Sequence, residues 1–321
     1  MATTVYFASN RTLTGPSELV ASYGSDIQPP SDPTGVVYGT AFVNGTDIST
    51  NTQGSISMME NINIGHFSDE AVGDLSNAGR NLLVFIHGFN NSFSDAITYG
   101  AFNRDWIAAS NISPADTSVV SFSWPSLGEA ISIPILPAPY LHDQNMAGAS
   151  GIHLMSFLKN LEPILTAVHA NERKTFLLAH SMGNLALVNT LQNWFLHGNG
   201  NAYLFDLAVL AAADCGFDAF DQPDLAGLSG LPNLAKEVSI YFSAADNILQ
   251  LSQTVNLGAQ RLGQQGPRDK SDPLQFPASQ FRMVDATNFR DYDFTFVTSH
   301  VYYRMSSEAR ADIASDMASA V

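Results

Sequence analysis

From about residue 80 onward the chain alternates short, unbroken apolar runs with longer mixed stretches. The runs are Leu82–Ile86, Val119–Phe122, Thr175–Leu178, Leu207–Ala211, Val238–Phe242 and Phe281–Val284. Runs this short and this continuous suit strands buried on both faces rather than helices, and the stretches between them are long enough to cross back as helices. The pattern predicts an α/β fold, a mostly parallel central sheet flanked by helices on both faces. Before residue 70 the character changes. Charges are few, Thr, Ser, Gly and Asn are common, and alternation is short, as in Val36–Val43. Residues 1–70 therefore read as edge strands and loops preceding the parallel core, and 1–321 as a single domain. With 321 residues and 45% hydrophobic content, the chain can bury a substantial core.

One stretch interrupts the alternation. Residues 125–140 are apolar but broken by Pro125, Pro134, Pro137 and Pro139, a composition that argues against a long helix. The segment 125–147 reads as a cap-like insertion at a strand's carboxyl end, over the crevice where this architecture binds ligands. Trp124 and Tyr140 are its candidate pocket-lining rings.

Chemistry is concentrated in Thr175–Val188, where Ser181 lies between a strand-like run and a helix-like run, with Ala179 two before it and Gly183 two after. Small flanks let a strand turn sharply into a helix and hold the serine exposed at the tip, as in a nucleophile elbow. Alanine in place of the usual first glycine does not relieve positive φ, so the strain is expected on Ser181 itself. The N–H of Met182 opens the following helix without an intrahelical partner and is a candidate oxyanion donor.

About ninety residues earlier, Asn81–Asn91 reads as a buried strand ending in His87-Gly88, with a helix beginning near Ser94. A glycine there lets the next amide turn toward the serine, so the Phe89 N–H is the second candidate donor. His87 and His180, inside the two motifs, are candidate substrate contacts.

In a fold of this type the acid and base follow the serine in that order. Two strands after Ser181 each lead into an aspartate, Asp214 and Asp246. Asp246, after the second, is favoured, and Asp214 is assigned a structural capping role near Cys215-Gly216. The C-terminal third holds a single histidine, His300. It is the candidate general base, with Asp246 orienting it, because His66, His142, His153, His169 and His197 precede the acid.

The segments His87–Ala96, Phe122-Ser-Trp-Pro-Ser126 and Ala179-His-Ser-Met-Gly-Asn184 resemble bacterial α/β hydrolases catalogued as a domain of unknown function. Similar to that family, too, are Ala211–Asp218, Tyr241–Leu249, Ser299–Tyr303 and the N-terminal Tyr6–Arg11. The resemblance implies an α/β-hydrolase fold with esterase-like chemistry and no particular substrate. Asn184 agrees with the family, whereas Leu185 stands where it commonly carries arginine.

Net charge is −16, with 14 Lys+Arg against 30 Asp+Glu, which excludes a nucleic-acid binder and favours a neutral ester over an anionic one. The lone Cys215 permits no internal disulfide and reads as a small buried hydrophobe. No basic stretch followed by an apolar run opens the chain, and no run is long enough to span a bilayer, so the expectation is a cytoplasmic protein. Export without such a signal, or removal of a leader, leaves the same sequence. Neither Asp291–Asp293 nor Asp218–Asp221 has the ligand density of a calcium loop, and no cofactor or metal is expected.

The reading is a serine esterase acting on small-molecule esters of short to medium acyl chain. Amides, thioesters and polyester fragments suit the same residues. A binding protein that has lost its chemistry is disfavoured because every site position is filled.

Overall fold

The computed structural model describes residues 2–28, 33–76, 79–112, 116–129, 137–221 and 227–320. Its strands are β1 (Thr3–Ser9), β2 (Arg11–Leu13), β3 (Tyr23–Ile27), β4 (Val37–Asp47), β5 (Thr52–Ile64), β6 (Asn81–Ile86), β7 (Thr117–Ser123), β8 (Thr175–His180), β9 (Phe205–Ala211), β10 (Ala235–Phe242) and β11 (Phe281–Asp285). The helices are α1 (Asp69–Leu75), α2 (Phe93–Ala108), α3 (Pro137–Ala149), α4 (Gly151–Ala170), α5 (Gly183–Leu196), α6 (Asn247–Val255), α7 (Leu262–Gln265), α8 (Tyr302–Met305) and α9 (Ser307–Ser319).

Among the described residues nine strands form one sheet in the order β11-β10-β9-β8-β6-β7-β1-β4-β5. From β11 to β1 all neighbours are parallel, and β4 and β5 extend the sheet antiparallel. β6, β7, β8 and β9 are buried at every residue, the signature of strands covered on both faces. Correspondingly there are two cores. One contains Leu82, Val84 and Ile86 with Leu154, Leu161 and Leu187 of α4 and α5. The other contains Leu83 and Phe85 with Phe93, Ile97 and Phe102 of α2 and Ile313 of α9. Alternate side chains of β6 thus serve opposite layers, each buried Leu or Phe contributing roughly 1.5–3 kcal/mol.

The chain leaves β6 for β7 on one side through α2 and returns to β8 on the other through α4. Such a reversal opens a crevice at the strands' carboxyl ends, here between the loops after β6 and β8. Those loops carry Gly88 and Ser181.

Two expectations need correction. β1 is not an edge strand: it pairs with β7 on one side and β4 on the other, so the N-terminal segment enters the sheet and β5 forms the edge. The continuous apolar run Val5-Tyr-Phe-Ala8 was the available cue. The proline-bearing stretch is also more helical than its composition suggests. Helix α3 runs from Pro137 to Ala149, with Pro137 and Pro139 in its first turn, where a missing N–H removes no intrahelical bond. The part of the cap-like insertion at 130–136 lies outside the described residues.

Candidate active site

Ser181 ends the turn between β8 and α5 at φ +53°, a left-handed conformation unfavourable for a residue with a Cβ. The turn is over-determined by its surroundings. The Ser181 N–H donates to the Ala211 carbonyl (3.0 Å), its own carbonyl accepts from the Asp214 N–H (3.0 Å), and the Asn184 amide donates to the carbonyls of Ala179 (3.0 Å) and Ser181 (3.1 Å). Gly183 is required by proximity: a Cβ there would fall 2.5 Å from the His87 carbonyl oxygen and 2.7 Å from that of Ile86. Gly88 is similarly enclosed, 2.7 Å from the Ser181 Cβ. The two loops therefore meet backbone to backbone.

The Ser181 hydroxyl lies 2.7 Å from His300 Nε2, and His300 Nδ1 lies 2.7 Å from Asp246 Oδ2. A carboxylate only accepts, so Nδ1 carries the proton and Nε2 is left to accept from the serine. Asp246 is fully buried, and its other oxygen caps α6 by accepting from the Leu249 N–H at 3.0 Å. The segment bearing His300 is tied to the same helix, because the Ser299 hydroxyl accepts from the Asn247 N–H (3.1 Å). The neighbouring Tyr302 hydroxyl donates to the Tyr241 carbonyl (2.8 Å) and accepts from the Ala212 N–H (3.2 Å).

The N–H groups of Phe89 and Met182 have no protein acceptor among the described residues. Two buried groups hold the loop that presents Phe89. Arg11 donates from Nη2 to the Asn91 carbonyl (2.8 Å), from Nη1 to the carbonyls of Ser126 (2.8 Å) and Gly24 (3.0 Å), and from Nε to the Ser123 hydroxyl (2.8 Å). Burial pulls its pKa down to about 9, against the nearby charges of Asp143 and Asp95. The Asp143 carboxylate, fully buried on α3, accepts from the N–H groups of Asn90 and Leu127, both at 3.0 Å, and from the Ser126 hydroxyl at 2.5 Å. Asn91 closes the loop on itself, its amide donating to the carbonyls of Gly88 (2.8 Å) and Phe89 (2.9 Å).

The cleft beside this arrangement is small, about 110 Å³, lined among others by Phe89, Tyr99, His180, Ile248, His300 and Arg304. Larger hollows of about 460 Å³ lie elsewhere, one between α2 and α9 and one against the outer strands, and neither contains Ser181 or His300. His180 donates from Nε2 to the His300 carbonyl (3.1 Å), which leaves its Nδ1 unprotonated. Burial, followed by the charges of His300 and Arg304, holds its pKa well below the usual histidine range.

Other expected contacts do not reach the cleft. Trp124 is fully buried, donates to the His87 carbonyl (2.8 Å) and stacks on the His87 ring with centroids 4.8 Å apart. His87 is equally buried, and its pKa falls to about 3 through desolvation and the charge of Arg11. Both belong to the packed support beneath the loop, since each is fully buried and neither lines the cleft. The Met182 side chain likewise sits in the core. Tyr140 does not line the cleft and stands behind Phe89, the two rings tilted with centroids 5.6 Å apart.

The Tyr140 hydroxyl donates to Asp214 (2.9 Å), which also accepts from the Ser252 hydroxyl (2.6 Å) and faces Arg261 (3.4 Å). Asp214 therefore joins α3 to α6 instead of capping the turn after it. Sequence reasoning missed Asp143 and Arg304 altogether and met Arg11 only within a motif. Scarcity was a usable signal, since Lys and Arg together number 14.

Among the described residues no group of three or more His, Cys, Asp and Glu side chains is arranged to hold a metal ion, and no helix is long and apolar enough to cross a membrane. Asp218 and Asp221 are both paired with Arg268, at 3.2 and 2.9 Å. Cys215 is buried, and desolvation raises its thiol pKa.

No curated protein and no solved structure matches the chain. A family model described as an alpha/beta hydrolase of unknown function (DUF900) matches residues 68–314, more than half of the chain, and takes in Ser181, Asp246, His300 and both loops at the crevice. The chain belongs to that alpha/beta hydrolase family.

Proposed function

We propose that the protein is a serine esterase that cleaves carboxylic esters of short to medium acyl chain through an acyl-enzyme on Ser181. The observation that carries this reading is the continuous hydrogen-bonded series from the Ser181 hydroxyl through His300 to Asp246, both links at 2.7 Å. In this proposal His300 Nε2 takes the serine proton as Oγ attacks the ester carbonyl carbon. Negative charge then moves to the carbonyl oxygen, where the free N–H groups of Phe89 and Met182 receive it. Collapse breaks the bond to the alkoxy oxygen, and His300 returns the proton to the departing alcohol. Water repeats the sequence on the acyl-enzyme, releasing the acid and restoring Ser181.

Asp246 keeps the His300 proton on Nδ1 and stabilises the imidazolium that forms twice per turnover. The cleft of about 110 Å³ supports a short acyl group, since pockets that enclose drug-sized molecules run to roughly 300–1,000 Å³. The test is labelling of purified protein with a fluorophosphonate, followed by peptide mapping, alongside turnover of p-nitrophenyl acetate and butyrate. Label confined to Ser181, and loss of both label and turnover in Ser181→Ala, is the expected result. Turnover retained in Ser181→Ala would overturn the proposal.

A further inference from the structure

Arg304 lies one helical turn beyond His300, in α8, and lines the same cleft. It is 7% exposed, yet Nε and Nη1 have no hydrogen-bond acceptor, and no carboxylate of the described residues stands within ion-pair distance of it. Its guanidinium instead lies over a ring face, Cζ standing 4.0 Å from the centroid of Tyr99. That contact attracts a cation but uses none of its N–H bonds.

Arg261 is also buried with Nε and Nη2 lacking a hydrogen-bond acceptor, but it stands 3.4 Å from the Asp214 carboxylate, and two other arginines are fully partnered. Arg11, equally buried, donates from all three of its nitrogens, and Arg282 is held by Asp312 and Asp316, both at 2.7 Å. An arginine buried for packing alone would be expected to acquire partners of this sort, because an unpaired buried charge is strongly unfavourable. The cleft supplies none. In a chain with 30 acidic residues, no carboxylate lines it, and the side chains around Arg304 are apolar or neutral.

We infer that Arg304 is the receptor for a carboxylate carried by the substrate, which makes the preferred substrates esters that bear a free carboxylate, such as half-esters of dicarboxylic acids. The inference rests on the serine-hydrolase reading of the site and reverses the neutral substrate that net charge alone suggested. Local field outweighs global charge here, because the overall charge acts across screened solvent while Arg304 acts in a desolvated wall. A guanidinium takes a carboxylate by two parallel hydrogen bonds, here through Nη2 together with Nη1 or Nε, which supplies one of the two missing acceptors. The small cleft and the charge of −16 favour a compact monoanion over a phosphate dianion. Arg304 would then act as a specificity-determining residue, with no part in bond making.

Matched pairs of esters test this. On the acyl side, monobutyl glutarate is compared with the butyl ester of glutaric acid monoamide. On the alcohol side, the butanoate ester of 4-hydroxybutanoic acid is compared with that of its amide. Chromatography of the products gives kcat/KM for each. In the wild-type protein at least one pair should favour the acid by roughly 10- to 100-fold, the scale of hydrogen bonds to a charged group. Arg304→Gln should bring that ratio to about one, and Arg304→Lys should leave it in between. If Arg304→Gln does not fold, the wild-type ratio and its decline between low and high salt carry the test. Ratios near or below one in both wild-type pairs, or a ratio unchanged in Arg304→Gln, overturn the inference while leaving the esterase intact. Absence of turnover on all four esters together with absence of fluorophosphonate labelling overturns the serine-hydrolase reading itself, and this inference with it.

Discussion

Asp246 holds two structural duties on separate oxygens, which allows them to be taken apart. Oδ2 accepts from His300 Nδ1 at 2.7 Å, and Oδ1 accepts from the Leu249 N–H at 3.0 Å to cap α6. Asp246→Asn keeps an oxygen for the cap and places an NH₂ group where Oδ2 was. Facing a donor, His300 turns to the tautomer with a bare Nδ1 and a protonated Nε2, which cannot accept from Ser181. Turnover of p-nitrophenyl butyrate should fall roughly 10⁴-fold, the scale known for neutralising the acid of a serine protease, or about 5.4 kcal/mol in the barrier.

Stability should change little, because Asn and Asp cap helices about equally well. Asp246→Ala should lose turnover to a similar extent but also lose the cap, about 1 kcal/mol, and leave a buried imidazole N–H without an acceptor, about 1–3 kcal/mol more. Urea unfolding of the three proteins, read beside kcat, separates the effects. Asp246→Asn retaining more than a tenth of wild-type turnover, or Asp214→Asn losing more than it does, would refute the assignment of Asp246 as the acid.

Further consequences concern the support of the site. Gly183→Ala sets a methyl 2.5 Å from a backbone oxygen that cannot swing aside, so it should cost about 1–3 kcal/mol in urea unfolding and roughly 10²-fold in turnover by parting the two loops. Arg11→Gln strands the buried carbonyls of Ser126 and Asn91 and the part-buried one of Gly24, and should lower stability by about 2–3 kcal/mol. Acid should destabilise the fold through the buried imidazoles. His87 has a folded pKa of about 3 against about 6.5 unfolded, so below pH 6.5 only the unfolded chain takes the proton. Stability is nearly full above that pH and declines as the pH falls toward 3, by about 2.3 kcal/mol from His87 alone between pH 6.5 and 4.5, with His180 acting in the same direction. Urea midpoints at several pH values check this. His87→Phe should flatten the slope; an unchanged slope would mean that His87 is not the group responsible.

The parallel strands and the tight small-residue turns at Ser181 and Gly88 were legible from sequence, because each is written in neighbouring residues, whereas the expectation for Asp246 and His300 drew on the chain order of the fold. Apolar continuity marks a strand buried on both faces, and small residues mark a turn that closes backbone to backbone. The strain expected on Ser181 is present, at φ +53°. Other features exist only once distant segments meet. β1 enters the sheet between strands that come about thirty and more than a hundred residues later. Trp124 was expected to line the pocket, but stacking on His87 buries it, and Tyr140 is turned away by Asp214, seventy-four positions along the chain. Arg11 and Asp143, far apart in the chain, brace the same loop side by side, and Arg304 stands out for the hydrogen-bond acceptors it lacks. A local pattern can specify which conformation a segment adopts, since propensity and periodicity act over a few residues. Whether a charged side chain finds a partner depends on which segments the sheet order brings beside it, and that order is settled by packing across the whole molecule.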